Sequence, residues 1–388
     1  MSKVGMLVAL LAVASASAQE PPPAPTPSCR SCADRGTLPC GKHGKDLGPE
    51  ADAAVRLCSV AAECKACGGA LAVDCRSCRN GPAEQALAAR QQLVHDWLEQ
   101  RRKAVDDTLG ERSLLHLETT HCDLVFGLRA LTVGKQKLDP HALMHLYGQR
   151  IESLREDFRT LFELTDADLP GRLRVYMFRD QKHHGVIGPR ETGLGSASSI
   201  GLKQMGPEFV YSMWHDQRSL AADDALHRNI VHNVAHLLLS QMLPVQWIGN
   251  RSHGWIDEGL AHWFEDRTNG KCTNYCYEEI LTMPGAGWKN GVWRPHVRKL
   301  LEDGGLPTFA QLSTRNTDQL TFPEHAAAFA WVDHLLTAHG GARFRDLVRA
   351  LKAGQATRDA LQAVYQLNPL TIEAPFQAWL REHYPLPH

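Results

Sequence analysis

Residues 221–242 limit the fold of this chain more than any other stretch. They are rich in Leu, Ile, Val and Ala at helical spacing, and Pro244 ends them. The pattern predicts one long apolar helix. His232 and His236 sit four apart within it, as His-Asn-Val-Ala-His. That spacing puts both imidazoles on one helical face, one turn apart, on a rigid support suited to holding one metal ion. By itself the pair is a weak signal, because histidines at this spacing are more often packing or surface residues.

A second segment strengthens it. Gly254-Trp255-Ile256-Asp257-Glu258-Gly259-Leu260-Ala261-His262-Trp263-Phe264-Glu265 follows, with Glu258 22 residues after His236. Two histidines and one carboxylate leave a fourth zinc position open to water, the pattern of a catalytic rather than a structural ion. Glu265 lies two helical turns beyond Glu258 on the same face, where a carboxylate can orient a histidine ligand.

Together these segments resemble the gluzincin metallopeptidases, in particular secreted bacterial proteins with a peptidase MA-like domain. Those families carry His-Glu-x-x-His and then a segment like W-[LI]-x-E-G-x-A with a further Glu about one turn on, which WIDEGLAHWFE at 255–265 resembles. The resemblance covers about residues 119–385. It implies an α+β domain with a small sheet, an active-site helix and a C-terminal helical part. It implies zinc held by His232, His236 and Glu258, with Glu265 behind them. HAAAFAWVDHLL at 325–336 resembles a helix that usually begins with Tyr in these families, which gives His325 a place to steady an oxyanion. A plain helix-start residue is the other reading of His325. RFRDLVRAL and FQAWLREHY fit the closing helices.

The departure is Asn233, at the position of the family's catalytic Glu. An amide cannot accept the proton of a metal-bound water near neutral pH, and loss of a general base typically lowers the rate by about 10²–10⁴. The expectation is a zinc-binding but catalytically impaired peptidase fold that takes a peptide, protein or cell-wall ligand. Alternatives stay open: an active hydrolase using Asp257, His227, His262 or Asp266 as base, or a relic without metal.

Residues 29–80 form a different module, rich in Cys and Gly and poor in large apolar side chains. Such a segment needs cross-links or metal to fold. Cys29-x2-Cys32-x7-Cys40-x2-His43 and Cys64-x2-Cys67-x7-Cys75-x2-Cys78 share one spacing, so each repeat offers four zinc ligands. CKACGGA at 64–70 resembles knuckles of the zinc-ribbon or DnaJ-like cysteine-rich type. A disulfide scaffold is the competing reading, but His43 cannot join a disulfide. An interaction protein acting through this module is a further possibility. Cys58 with Cys122, and Cys272 with Cys276, are possible pairs that sequence does not decide.

Lys3, the apolar run at 4–14 and Ala16-Ser17-Ala18 predict a signal peptide over 1–18, hence a secreted or periplasmic protein with no later membrane span. A Pro-rich linker is expected over 19–28 and a connecting helix over 82–118. The formal net charge of −1, with no basic run, argues against a nucleic-acid partner. Strands are expected at 121–132, 172–178 and 208–214, and helices at 141–164, 326–338, 342–353, 356–365 and 372–383. The Gly- and Ser-rich residues 185–206 predict a loop, and His183 and His184 surface positions. Trp247, Trp255, Trp263, Trp288 and Trp293 are expected to pack, with 288–293 as an alternative cleft wall.

Overall fold

The computed structural model describes residues 28–43, 61–78, 80–195, 199–275, 288, 291–368 and 371–386. The expected signal peptide, most of the Pro-rich linker, Cys58 and Cys276 lie outside these residues, and so do both suggested cysteine pairings. Among the described residues no helix is long and apolar enough to cross a membrane.

The fold is mixed α+β. The N-terminal region holds β1 (Thr37–Pro39), β2 (Ala61–Ala62) and β3 (Ala72–Asp74). β1 and β3 form an antiparallel ribbon, with Leu38 opposite Val73. α1 (Gly81–Ala104) follows, capped by Asn80, whose side chain accepts from the Ala83 N–H. A single turn, α2 (Asp106–Leu109), ends at Gly110 with φ 72°. The connecting helix expected over 82–118 is therefore shorter than its apolar spacing suggested. Gly110 takes the left-handed conformation that stops a helix, and the alternating residues behind it form β4 (Leu115–Glu118).

Next come β5 (Cys122–Phe126), the hairpin of β6 (Leu131–Val133) and β7 (Gln136–Leu138), α3 (Pro140–Leu161) and β8 (Leu173–Phe178). The strand expected over 121–132 is thus two separate strands. α4 (Gln181–Thr192), β9 (Gly201–Met205) and β10 (Phe209–Trp214) complete this half. The loop expected over 185–206 is helical at its start and a strand at its end. Its Gly and Pro content hid an Asp180 cap that accepts from the His183 N–H. His184 is fully buried on α4, with Nδ1 3.0 Å from the Ser212 hydroxyl of β10, so it is not a surface residue. Burial pushes its imidazole down to about 4.

Among the described residues the main sheet has six strands in the order β2-β4-β5-β8-β10-β9. β5, β8 and β10 run parallel at its centre, and β9 is an antiparallel edge. β2 pairs with β4, Ala61 opposite Glu118, so the Cys-rich segment contributes a strand to the large sheet. α1 is pinned beside it: Arg102 pairs with Glu63 at 2.8 Å and Arg101 with Asp123 at 2.8 Å.

The helical half contains α5 (Asp223–Gln241), α6 (Gly254–Asn269), α7 (Arg294–Glu302), α8 (Phe309–Leu312), α9 (Phe322–His339), α10 (Gly341–Lys352), α11 (Thr357–Tyr365) and α12 (Glu373–His383). Side chains from other elements hold both ends of α5. At its start Arg150 reaches both Asp223 oxygens, at 2.7 and 3.0 Å, and the Tyr147 hydroxyl donates to Asp223 at 2.8 Å. At its end the Lys352 ammonium donates to the carbonyls of Leu239 and Ser240, which the helix leaves without internal partners. Trp255, Trp293 and Trp331 of this half are fully buried. Each buried aromatic side chain contributes roughly 2–3 kcal/mol, and these residues belong to one apolar core that continues into the sheet through Leu124, Phe126 and Val175.

Two details bring α9 onto α6. Thr321 and Glu324 form a capping box that starts α9 just before His325. Gly259 lets the helices touch, since a Cβ there would lie 2.6 Å from the Ala328 carbonyl oxygen.

Candidate metal centre

α5 presents His232 and His236 with their Nε2 atoms 3.3 Å apart. From α6, Glu258 places Oε1 3.1 Å from His236 Nε2 and Oε2 3.7 Å from His232 Nε2. All three side chains are at most 1% exposed. These groups could hold a metal ion.

The other ring nitrogens explain why the imidazoles face inward. His236 Nδ1 lies 2.9 Å from Asp257 Oδ1, and Asp257 Oδ2 accepts from Trp247 Nε1 at 2.8 Å and from the Thr317 hydroxyl at 3.0 Å. His232 Nδ1 lies 3.3 Å from Glu265 Oε2. Glu265 Oε1 accepts from the Thr273 N–H at 2.5 Å and from the Asn274 side-chain amide at 2.7 Å. Each histidine is thus backed by a carboxylate that is itself fixed, which sets ring orientation and raises ligand basicity. Sequence reasoning placed Glu265 in this role but considered Asp257 only as a base. Both Asp257 oxygens are engaged in holding His236, Trp247 and Thr317.

The electrostatics suit a cation. Burial acts to raise the Glu258 carboxyl, but His236 and its neighbours outweigh it and hold Glu258 well below the usual range. Burial likewise opposes the His232 and His262 contacts at Glu265, and the contacts win, leaving it at about 2. Burial pushes His232 down to about 4, toward the neutral form a metal needs. Burial and Lys203 push His236 down, yet Asp257 and Glu258 outweigh them and leave it above its ordinary value.

Asn233 is turned into a chain of neutral groups. Its amide donates to the Asn229 carbonyl at 2.8 Å and to the Tyr211 hydroxyl at 3.1 Å. Tyr211 donates to Asn229 Oδ1 at 2.5 Å, Asn229 donates to Asn274 Oδ1 at 3.1 Å, and Asn274 reaches Glu265. Asn233, Tyr211, Asp257 and Tyr275 line a cavity of about 490 Å³ that also runs along β9. Trp247 lines it too, whereas Trp288 and Trp293 do not; these two pack against each other with ring centroids 5.9 Å apart.

The remaining candidates fall into two groups. Asp266 is paired with Arg294, and His227 lies beside Arg150 and Asp223 at the start of α5. Neither belongs to the ligand cluster. His262 and His325 do: both are fully buried, with His262 Nε2 3.1 Å from His325 Nδ1. His325 does not line the cavity.

The N-terminal region forms a pair of sulfur clusters, and they cross the sequence repeat. Cys29 and Cys32 meet Cys75 and Cys78, while Cys40 meets Cys64 and Cys67. The spacing predicts one complete set from each repeat. Instead the β1–β3 ribbon pairs the first knuckle with the last and the second with the third. Both clusters could hold a metal ion. The His43 side chain lies outside the described residues. His141, at the start of α3, is a neighbour that sequence reasoning missed. Hydrogen bonding from Cys67, against burial, and from His141 pulls the Cys64 thiol down to about 3.

No family model matches the chain, and no curated protein matches it.

Proposed function

We propose that this is a zinc-binding protein of the gluzincin peptidase type that holds peptide or protein ligands without efficiently hydrolysing them. The observation that carries this reading is the convergence of His232, His236 and Glu258. In a tetrahedral zinc site, ligand atoms about 2.0–2.1 Å from the ion lie about 3.3 Å from one another. The separations of 3.3 and 3.1 Å at His236 match that edge. The inward Nε2 atoms, the anionic Glu258 and the two carboxylates behind the rings complete a His2Glu donor set.

Bound there, zinc would supply a Lewis acid behind the cavity wall: His232, His236 and Glu258 do not line the cavity themselves, but their neighbours Asn233 and Asp257 do. The residues around it supply positioning. Asp257 and Glu265 hold the imidazoles. The Tyr211 hydroxyl and the Asn233 amide offer polar contacts at the cavity wall, and the β9 edge offers backbone groups to an extended ligand. What the cavity lacks at position 233 is a group that can take up a proton, because a side-chain amide is not basic near neutral pH.

The thiol clusters support zinc in the N-terminal region as well. Tetrahedral thiolate sulfurs about 2.3 Å from zinc lie about 3.8 Å apart. Cys29 and Cys75 are 3.8 Å apart and Cys32 and Cys78 3.4 Å, whereas a disulfide needs about 2.05 Å. We also propose export, on the N-terminal sequence alone.

Zinc analysis of the purified chain together with a broad peptide library tests the function. The expected result is zinc that falls by one equivalent in His236→Ala, with no cleavage by wild type. Zinc content unchanged in His236→Ala would overturn the site, and His236-dependent cleavage would overturn the impaired reading.

A further inference from the structure

We propose that Glu258 is a bridging ligand, and that His262 and His325 hold a second divalent cation beside the first. This rests on the His232/His236/Glu258 site proposed above. Glu258 turns Oε1 to His236, at 3.1 Å, while Oε2 faces His232, at 3.7 Å, and also the second histidine pair. Oε2 lies 3.5 Å from His262 Nε2 and 3.7 Å from His325 Nδ1, and those two nitrogens are 3.1 Å apart. These three separations are close to the tetrahedral edge of about 3.3 Å for imidazole and carboxylate ligands.

Local structure brings this set together. Glu258 and His262 are four apart on α6, and the Gly259 contact with α9 delivers His325 to them. The backing carboxylate is shared too: Glu265 Oε2 lies 3.3 Å from His232 Nδ1 and 3.4 Å from His262 Nδ1. One carboxylate therefore orients a histidine of each set. The set suits zinc or another first-row divalent ion that accepts imidazole and carboxylate ligands. Tyr275, with its ring 5.7 Å from both His262 and His325, separates this position from the cavity it lines.

The test uses the full-length chain, stripped of metal and reloaded with zinc or cobalt(II). His262→Gln and His325→Gln are each expected to lose one equivalent of metal relative to wild type, and His236→Ala a different single equivalent. Loss in His236→Ala with none in the His262 and His325 variants overturns the second cation and leaves the first site standing. No loss in any of the three overturns the first site as well. Misfolding of a variant is met by a measurement on wild type alone. In the cobalt-loaded chain, electron paramagnetic resonance is expected to show two spin-coupled ions, as a shared carboxylate requires. Isolated ions only would overturn the proposal.

Discussion

The Cys-rich segment and the α5–α6–α9 region carry ligand clusters of opposite build. In the first, the ligands are most of what is buried: Cys29, Cys32 and Cys75 form one small cluster and Cys40, Cys64 and Cys67 another, on turns and a three-residue ribbon. In the second, the ligands sit on long helices inside a continuous apolar core that includes Trp255, Trp293 and Trp331. In one region the cluster is the fold. In the other the fold exists first and aims the ligands. A metal ion bound in each would therefore have different work: it would stabilise the Cys-rich segment and equip the helical region.

Metal removal should separate the two most strongly. On chelation, residues 28–43 and 64–78 are expected to lose nearly all protection from hydrogen exchange, since structural zinc supplies on the order of 10 kcal/mol to segments without a core. α5 and α6 should stay protected. Equal loss in both regions would break the comparison.

Gly259→Ala probes the opposite side at smaller scale. The new Cβ meets the Ala328 carbonyl oxygen at 2.6 Å, so α6 and α9 must move apart. Overpacking of this kind costs about 1–3 kcal/mol. The main thermal transition should fall by several degrees while the thiolate metal content stays unchanged. An unaltered transition would show that the close helix contact is not needed to hold the site.

Much of the helical region is legible in the sequence because its signals are local. Pro244 and the apolar spacing mark α5, Thr321 and Glu324 mark the start of α9, and His232, His236 and Glu258 stand out by spacing. What escapes depends on tertiary contact. Nothing in the sequence shows that His325 reaches His262, because the contact runs through Gly259 and Ala328. Asp257 reads as a base because it adjoins Glu258; only the fold shows it holding His236, Trp247 and Thr317. α4 is hidden by Gly185, Gly188 and Pro189, and burial of His184 follows from packing on β10 rather than from its neighbours in sequence. In the Cys-rich segment the ligand types are legible, but their grouping is not. Identical spacing suggests two self-contained units, whereas the antiparallel pairing of β1 with β3 brings distant knuckles together.

The central claim is that the ligand set is intact and only the base is missing. Asn233→Glu tests it most directly, through peptide cleavage by the zinc-loaded full-length chain. The substitution places a carboxylate at the cavity wall beside the Tyr211 hydroxyl, at the modest cost of one or two amide hydrogen bonds. The expected result is a gain of about 10²–10⁴ over wild type, lost again when His236→Ala is added. A wild-type chain that already cleaves through His236, or an Asn233→Glu chain that binds zinc fully and still cleaves nothing, would contradict the account.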